Sequence, residues 1–172
     1  GDNSQHTVKN LYNTGKIVYN GTTTDEKASL GGIIGQNYNT HIMNVANLGE
    51  IYINNTTTQI KIGGIAGGAT FGDIDNGYNL GKIIVDQETK NEKIGSLVGI
   101  KWNSVYNKCF YLNETYSKGI GKLATSEEKE EGITKLINKE DFPDLLEIIN
   151  DDDKFKNDNN NINNGYPVLF WQ

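Results

Sequence analysis

Glycine alternates with aliphatic residues in a six-residue phrase that recurs along the chain. The phrase is Leu-Gly-Gly-Ile-Ile-Gly at 30–35, Ile-Gly-Gly-Ile-Ala-Gly at 62–67 and Ile-Gly-Ser-Leu-Val-Gly at 94–99. The interval between its copies is the same both times, and a fixed period of this length is typical of a solenoid or another repeat array. The glycines that we expect to be structural repeat positions are Gly31, Gly32, Gly35, Gly63, Gly64, Gly67, Gly95 and Gly99.

A second phrase precedes each glycine-rich one. It has the form apolar-x-Asn-x-Tyr-Asn-x-Gly-x-Ile at 8–17, 42–51 and 74–83, and a weaker copy occupies 102–111. Alternating apolar residues at the end of the phrase, such as Ile51 and Ile53, favour half-buried β-strands. Each repeat therefore predicts about three short strands, with polar loops at 20–29, 54–59 and 86–93. Because one repeat cannot bury its apolar face alone, we expect the repeats to stack.

One asparagine of the second phrase recurs in every copy. The four residues are Asn13, Asn47, Asn79 and Asn107. They predict either a ladder of side-chain amides, spaced by the strand separation of ~4.8 Å, or a polar row that contacts a ligand. The aromatic column of Tyr12, Tyr78 and Tyr106, interrupted by Ala46, has the same two interpretations, a stack in the core or a platform for sugars.

Residues 116–172 no longer follow the repeat. Thr125 and Glu128 have the spacing of a capping box, which predicts a helix from Ser126 to about residue 138. A second helix is predicted to start near Asp141, and the apolar residues at 165–171 predict a final strand. We expect this segment to cover the last open edge of the array.

These patterns together predict an all-β repeat fold. It is a β-solenoid, or β-helix-like structure, of about three to four 32-residue coils at 3–115, followed by a C-terminal α+β cap at 116–172. The first repeat begins without a cap, so we expect the remainder of a longer chain on its N-terminal side.

Charge excludes some partners. The net charge is −6 and all 16 basic residues are lysine, whereas nucleic-acid sites depend on arginine for phosphate and base contacts. No apolar run approaches the ~18 residues of a spanning helix, so membrane insertion is not predicted. The single Cys109 excludes an internal disulfide framework.

Catalytic patterns are absent from the sequence. Neither of the two histidines is followed by Glu, so there is no His-Glu-x-x-His zinc motif. Glu50, Asp73 and Asp75 could supply paired carboxylates for glycoside chemistry, but a lyase would in addition often use arginine. The acidic run at 151–158 lacks the glycine and closing glutamate of an EF-hand. We therefore predict no enzymatic activity, no catalytic residue, no metal and no cofactor.

Both repeated phrases resemble the GLUG-motif repeats of bacterial surface and secreted proteins over about residues 5–115. The closing Asn-Gly-Tyr-Pro-Val-Leu-x-Trp at 164–171 resembles the segment that commonly ends such regions. Proteins of this family are adhesin-like or accompany the catalytic domains of IgA-specific metalloproteases. The resemblance implies an extracellular or cell-surface bacterial protein, and it transfers no catalytic residue because the motif has none.

Three functions remain open at this point. The first is a non-enzymatic repeat module with an adhesion or spacer role, whose partner would be a host glycan or matrix protein. The second is a carbohydrate-binding module accessory to an enzyme, and the third is a glycan-active β-helix enzyme. Tyr38 and Trp102 are the candidate ligand contacts. A line of exposed aromatic side chains on one face would favour sugar binding, whereas inward-facing aromatics would favour a scaffold.

Overall fold

The computed structural model describes residues 6–21, 28–54, 60–86, 91–136 and 154–172. Within these ranges the regular structure consists of β-strands, most of them in parallel sheets, so the all-β, solenoid-like prediction is confirmed. The strands of the repeats are β1 (His6–Asn13), β2 (Ile17–Tyr19), β3 (Ser29–Gly31), β4 (Ile34–Tyr38), β5 (Thr40–Asn47), β6 (Ile51–Ile53), β7 (Lys61–Gly63), β8 (Ala66–Thr70), β9 (Ile74–Asn79), β10 (Ile83–Val85), β11 (Ile94–Gly95) and β12 (Val98–Trp102). They are followed by β13 (Tyr106–Leu112), β14 (Ile120–Leu123), β15 (Ile133–Leu136), β16 (Phe155–Lys156) and β17 (Val168–Leu169).

Strands at the same place in successive repeats pair in parallel. Sheet A has the order β1-β5-β9-β13-β15, sheet B β2-β6-β10, sheet C β3-β7-β11 and sheet D β4-β8-β12-β14. One passage of the chain through sheets A, B, C and D is called a coil below. Such a coil has four strands rather than the predicted three, because the glycine-rich phrase bends in its middle and contributes one strand to sheet C and one to sheet D.

The register follows the repeat period. Ile62 lies opposite Ile94, which holds the same place in the next copy of the glycine-rich phrase. In the first coil Ile17 lies opposite Ile51, so this coil is longer than the regular period by two positions. The extra length falls between sheets B and C, because Leu30 already pairs with Ile62 at the regular interval.

The last passage is shorter. Cys109 pairs with Ile133, so the chain returns to sheet A before a full repeat period has passed. It runs from β13 to β14 through residues 113–119 without strands for sheets B and C, and the Ile83 amide donates instead to the Thr115 carbonyl oxygen at 3.0 Å.

The core consists of two apolar clusters inside the coils. The first joins sheets A and D and contains Ile42, Val45, Ile65, Ala66, Ala69, Ile74, Leu97, Val98, Tyr106, Cys109, Tyr111 and Ile120. The second joins sheets B and C and contains Ile51, Ile53, Ile60, Ile62, Ile83 and Ile94. Full burial of one such aliphatic side chain stabilises the fold by about 1.5–3 kcal/mol, so the stacking of repeats is what provides a core.

The predicted helix from Ser126 is wrong. Residues 126–136 are turn and extended structure, and β15 pairs in parallel with β13. Sheet pairing over a long sequence separation overrides the local capping-box signal here. The second predicted helix, from Asp141, lies outside the described residues, as do most of the three predicted loops.

The closing segment covers a face of sheet A. The predicted final strand is present as β17, which pairs antiparallel with β16. Phe155 and Leu169 pack with Ala46, Tyr78 and Phe110 on the side of sheet A that faces away from the first core cluster. The Tyr78 hydroxyl donates to the carbonyl oxygen of Pro167, which fixes the segment to the sheet.

Candidate functional site

Three of the four recurrent asparagines form a ladder. Asn13 Nδ2 donates to Asn47 Oδ1 at 2.8 Å, and Asn47 Nδ2 donates to Asn79 Oδ1 at 2.8 Å. Each Nδ2 also donates to the carbonyl oxygen two positions later along the chain. Asn47 and Asn79 are fully buried, so these side chains satisfy one another and the backbone. We call them the asparagine ladder.

Asn107 and Tyr106 lie outside the predicted columns. Asn107 is exposed and lies opposite Asp75, whereas Tyr111 occupies the position opposite Asn79. Tyr106 lies opposite Ile74 inside the core, and Phe110 is the residue opposite Tyr78. The last copy of the phrase therefore begins four positions later than its Tyr-Asn pair predicts, at residue 106 rather than 102.

The glycine-rich phrase makes room for this ladder. A Cβ atom on Gly32 would lie 2.5 Å from Asn47 Cγ, and one on Gly64 would approach Asn79 still more closely. Real Cβ atoms essentially never come so near. At the next equivalent position Ser96 ends the ladder, because its carbonyl oxygen accepts from Asn79 Nδ2 at 2.8 Å.

The remaining repeat glycines lie where backbones meet. A Cβ atom would collide with the backbone of a neighbouring strand or bend at Gly31, Gly63, Gly67, Gly95 and Gly99, and would be tightly placed at Gly35. At these positions the absence of a side chain allows backbone segments to approach closely.

A second asparagine row was not predicted. Asn44 Nδ2 donates to Asn10 Oδ1 at 3.3 Å, and Asn76 Nδ2 donates to Asn44 Oδ1 at 3.2 Å. All three have positive φ, between 52° and 62°, which asparagine tolerates better than most residues. In β5 the left-handed Asn44 lies between Ile42 and Val45 and interrupts the alternation of the strand. Both of these apolar side chains therefore point into the core. The recurrence of this asparagine in the second phrase was the available signal.

Both predicted ligand contacts belong to one exposed aromatic row. Tyr38 is 65 % exposed, Phe71 40 % and Trp102 49 %. The ring centroids of Tyr38 and Phe71 are 6.4 Å apart, and those of Phe71 and Trp102 are 5.9 Å apart. The three residues come from three successive coils at the corner where the chain passes from sheet D to sheet A. We call them the aromatic row.

Phe71 has an unusual backbone for its residue type. Its φ is 51°, and the residues at the equivalent corner in the coils on either side, Asn39 and Asn103, have φ of 48° and 49°. Asparagine adopts this left-handed conformation readily, but a bulky side chain there costs about 1–2 kcal/mol. The corner thus carries an aromatic ring at a position whose geometry suits asparagine.

A cleft adjoins the Trp102 end of the row. It has a volume of about 620 Å³ and is lined by Phe71, Trp102, Val105 and Tyr106 together with side chains between residues 125 and 131. Clefts that hold small ligands have about 300–1,000 Å³. Tyr106, whose side chain is buried in the first core cluster, forms part of the floor.

An ion pair holds the outer wall of the cleft. Lys101 Nζ donates to Glu128 Oε2, and the Asn103 amide donates to Glu128 Oε1. The side chains of Lys101 and Glu128 are 9 % and 11 % exposed. Burial raises the pKa of Glu128, but the hydrogen bonds from Lys101 and from the Asn103 amide outweigh it, so the pKa lies below its ordinary value.

The candidate carboxylates for glycoside chemistry are engaged separately. Glu50 pairs with Lys16 at 2.6 Å, and Asp73 Oδ1 accepts from the Val105 amide at 2.7 Å. Asp75 Oδ2 is 2.7 Å from His41 Nε2, so this carboxylate is paired with a histidine. Cys109 Sγ donates to the Ile74 carbonyl oxygen, and burial raises the thiol pKa to about 12. In the part of the chain that the structure describes, no three His, Cys, Asp or Glu side chains form a metal-ligand group.

Comparison with known proteins found no matching family model, no similar curated protein and no similar solved structure. Among the described residues, no helix has the length and apolar character needed to cross a membrane.

Proposed function

We propose that this chain is a non-enzymatic β-solenoid module that binds carbohydrate through the aromatic row, in an adhesin-like protein outside the cell or on its surface. The proposal includes three full coils, of which the first is two positions longer than the 32-residue period, a shortened fourth coil, and a relationship to the GLUG-motif repeats of bacterial proteins. The partner would be a host glycan, displayed freely or on a matrix protein.

The observation that carries the proposal is Phe71. Strained backbone and exposed apolar area both cost stability, and backbone outliers cluster at functional sites. Asparagine at this corner would relieve the strain, as at Asn39 and Asn103, and would cover the surface with polar groups. A ring kept here, midway between Tyr38 and Trp102, is better explained by a ligand than by the fold.

Carbohydrate fits the chemistry of the row. The negative face of an aromatic ring attracts the polarised C–H bonds on one face of a pyranose. The ring spacings of 6.4 and 5.9 Å are comparable to the length of one sugar ring. The planes of Phe71 and Trp102 are tilted by 35°, so these two rings can present neighbouring faces to successive sugars. The planes of Tyr38 and Phe71 are nearly perpendicular, at 88°, so Tyr38 would contact the same chain through its edge or its hydroxyl. Asn39 and Asn103 directly follow Tyr38 and Trp102 in the chain and occupy the same left-handed corner as Phe71, and asparagine amides can bond sugar hydroxyls. A nucleic acid could also stack on aromatics, but its phosphates would meet a protein of charge −6.

The test is a glycan-array screen of the folded chain, followed by calorimetry on each hit with three proteins. We expect micromolar binding by the unmodified chain and at least a tenfold loss in F71N, which keeps a residue suited to the backbone. The double variant V18T/I84T is the matched control, because Val18 and Ile84 are also exposed apolar residues but lie on sheet B. Silence across the array, or equal affinity of F71N and the unmodified chain, would contradict the proposal and leave a spacer role.

A further inference from the structure

The aromatic row ends at a wall. Leu123 pairs with Lys101, so Ala124 holds the position equivalent to Trp102 in the following strand, and no aromatic residue continues the row. The Ala124 amide still donates to the Lys101 carbonyl oxygen at 2.9 Å. Beyond it the chain leaves sheet D and forms the outer wall of the cleft with residues 125–131.

This wall is held in place from inside. The largely buried pair of Lys101 and Glu128 ties it to β12, and Lys101 Nζ also lies 5.8 Å from the ring centroid of Tyr106. A chain lying on Tyr38, Phe71 and Trp102 would therefore run into a closed end in this direction.

The lining of the cleft is polar as well as aromatic. It includes Ser104, Thr125 and Lys129 beside the exposed ring of Trp102. Side-chain hydroxyl and ammonium groups can form hydrogen bonds with the hydroxyl groups of a sugar, so this lining suits an uncharged ligand rich in hydroxyls.

The rim disfavours anions. Among the described side chains that line the cleft, the carboxylates are Glu127, Glu128 and Glu131 and the ammonium groups are Lys101 and Lys129, which leaves one net negative charge. A terminal sialic or uronic acid would meet this charge as well as the charge of −6 on the whole chain.

We infer that the cleft is a terminal subsite that receives the uncharged end of an oligosaccharide whose preceding sugars lie on the aromatic row. This inference rests on the proposed function and makes it specific, because the protein then recognises glycan ends rather than the interior of long chains.

The test compares linear hexasaccharides that differ only at their ends. The probes are β-1,4-glucose, β-1,3-glucose, β-1,4-N-acetylglucosamine and β-1,4-mannose chains, each with unmodified ends, with a reducing end oxidised to the aldonate, and with a uronic acid at the other end. Affinity is measured by calorimetry. For the chain that binds, we expect a carboxylate at one of the two ends to weaken binding at least tenfold.

A charge-reversal variant makes the test sharp. E127K/E131K changes the net charge of the lining by four, to plus three, and should restore binding of the end-charged chain to within threefold of the uncharged one. The control E92K/E114K has the same total charge but changes residues outside the cleft, and should not restore it. If end-charged and uncharged chains bind equally while F71N loses both, the inference is wrong and the proposed function stands. If none of the probes and no array glycan binds, both are wrong.

Discussion

Replacing Asn47 by alanine removes the middle side chain of the asparagine ladder. The variant loses three hydrogen bonds: the one from Asn13 at 2.8 Å, the one to Asn79 at 2.8 Å and the one to the Gly49 carbonyl oxygen at 3.1 Å. Asn47 is fully buried, so water cannot replace them without entering the coil. At about 1 kcal/mol for each bond, we expect a loss of about 3 kcal/mol in the free energy of unfolding.

Asn13→Ala is the matched control at the end of the ladder. Two of its three hydrogen bonds join Asn13 to Gly15 in an exposed position, where water can substitute for the side chain. Only the bond to Asn47 is lost without such compensation, so we expect a loss of about 1 kcal/mol. Because that bond is shared, the double variant should lose about 3 kcal/mol rather than the additive 4.

Urea unfolding of the four proteins measures these differences. Far-UV circular dichroism reports the sheets, and tryptophan fluorescence provides the second probe whose transition must coincide for a two-state treatment. The ladder account fails if N47A and N13A cost the same, or if N47A costs less than about 1 kcal/mol. If the double variant loses the full sum of the two single losses in the free energy of unfolding, direct coupling between the two side chains is refuted.

Three further results follow from the structure. Gly64→Ala should cost about 3 kcal/mol in urea unfolding, because the new Cβ meets the Ser96 backbone and Asn79, and a cost below about 1 kcal/mol would contradict the packing argument. Ser96→Ala removes the hydrogen bonds of its hydroxyl with Asn79 and Thr115 and should cost about 2 kcal/mol. The pKa of Glu128 is lowered, so its ionised form stabilises the fold above the unfolded-state value of about 4.3 and this contribution disappears as the pH falls through the lower folded-state pKa. The urea midpoint should therefore decline more steeply between pH 5 and pH 3 in the unmodified protein than in E128Q, and parallel curves would refute the role of the pair. Since burial raises the pKa of Cys109 to about 12, its thiol should resist a disulfide reagent at pH 8 and react only in urea; rapid reaction of the folded chain would show that the site is open.

The repeat period predicted more of the structure than residue identity did. Adding 32 to Ile74 gives Tyr106, which is its partner in the sheet. The similarity of the Tyr-Asn pairs at 78–79 and 106–107 instead predicts Asn107 beside Asn79. This prediction is wrong because the two pairs are 28 residues apart, four fewer than the repeat period. The same arithmetic applied to Asn39 gives Phe71 and then Asn103, so the sequence already contained the unusual aromatic corner. Only the backbone angles show that the corner is left-handed and that Phe71 is the exception.

Local signals failed where distant strands decide the structure. Thr125 and Glu128 suggested a helix start, but Glu128 instead binds Lys101, and residues 133–136 continue sheet A. The shortened passage between β13 and β14 was equally hidden, since no phrase marks a coil that omits two sheets. In both cases the residues that fix the local structure belong to different coils: Glu128 binds Lys101, and the Thr115 carbonyl oxygen accepts from the Ile83 amide. A pattern within a short sequence window cannot indicate such contacts.

The additional length of the first coil shows where this molecule accepts insertions. The two extra positions lie between sheets B and C, and the pairing of Ile17 with Ile51 before them and of Leu30 with Ile62 after them is undisturbed. Around the coil, that corner and the aromatic row are separated by two sheets in either direction. A peptide tag or an epitope could therefore be inserted between Tyr19 and Ser29, which would leave the aromatic row on the opposite edge uncovered while the insert serves for detection or attachment.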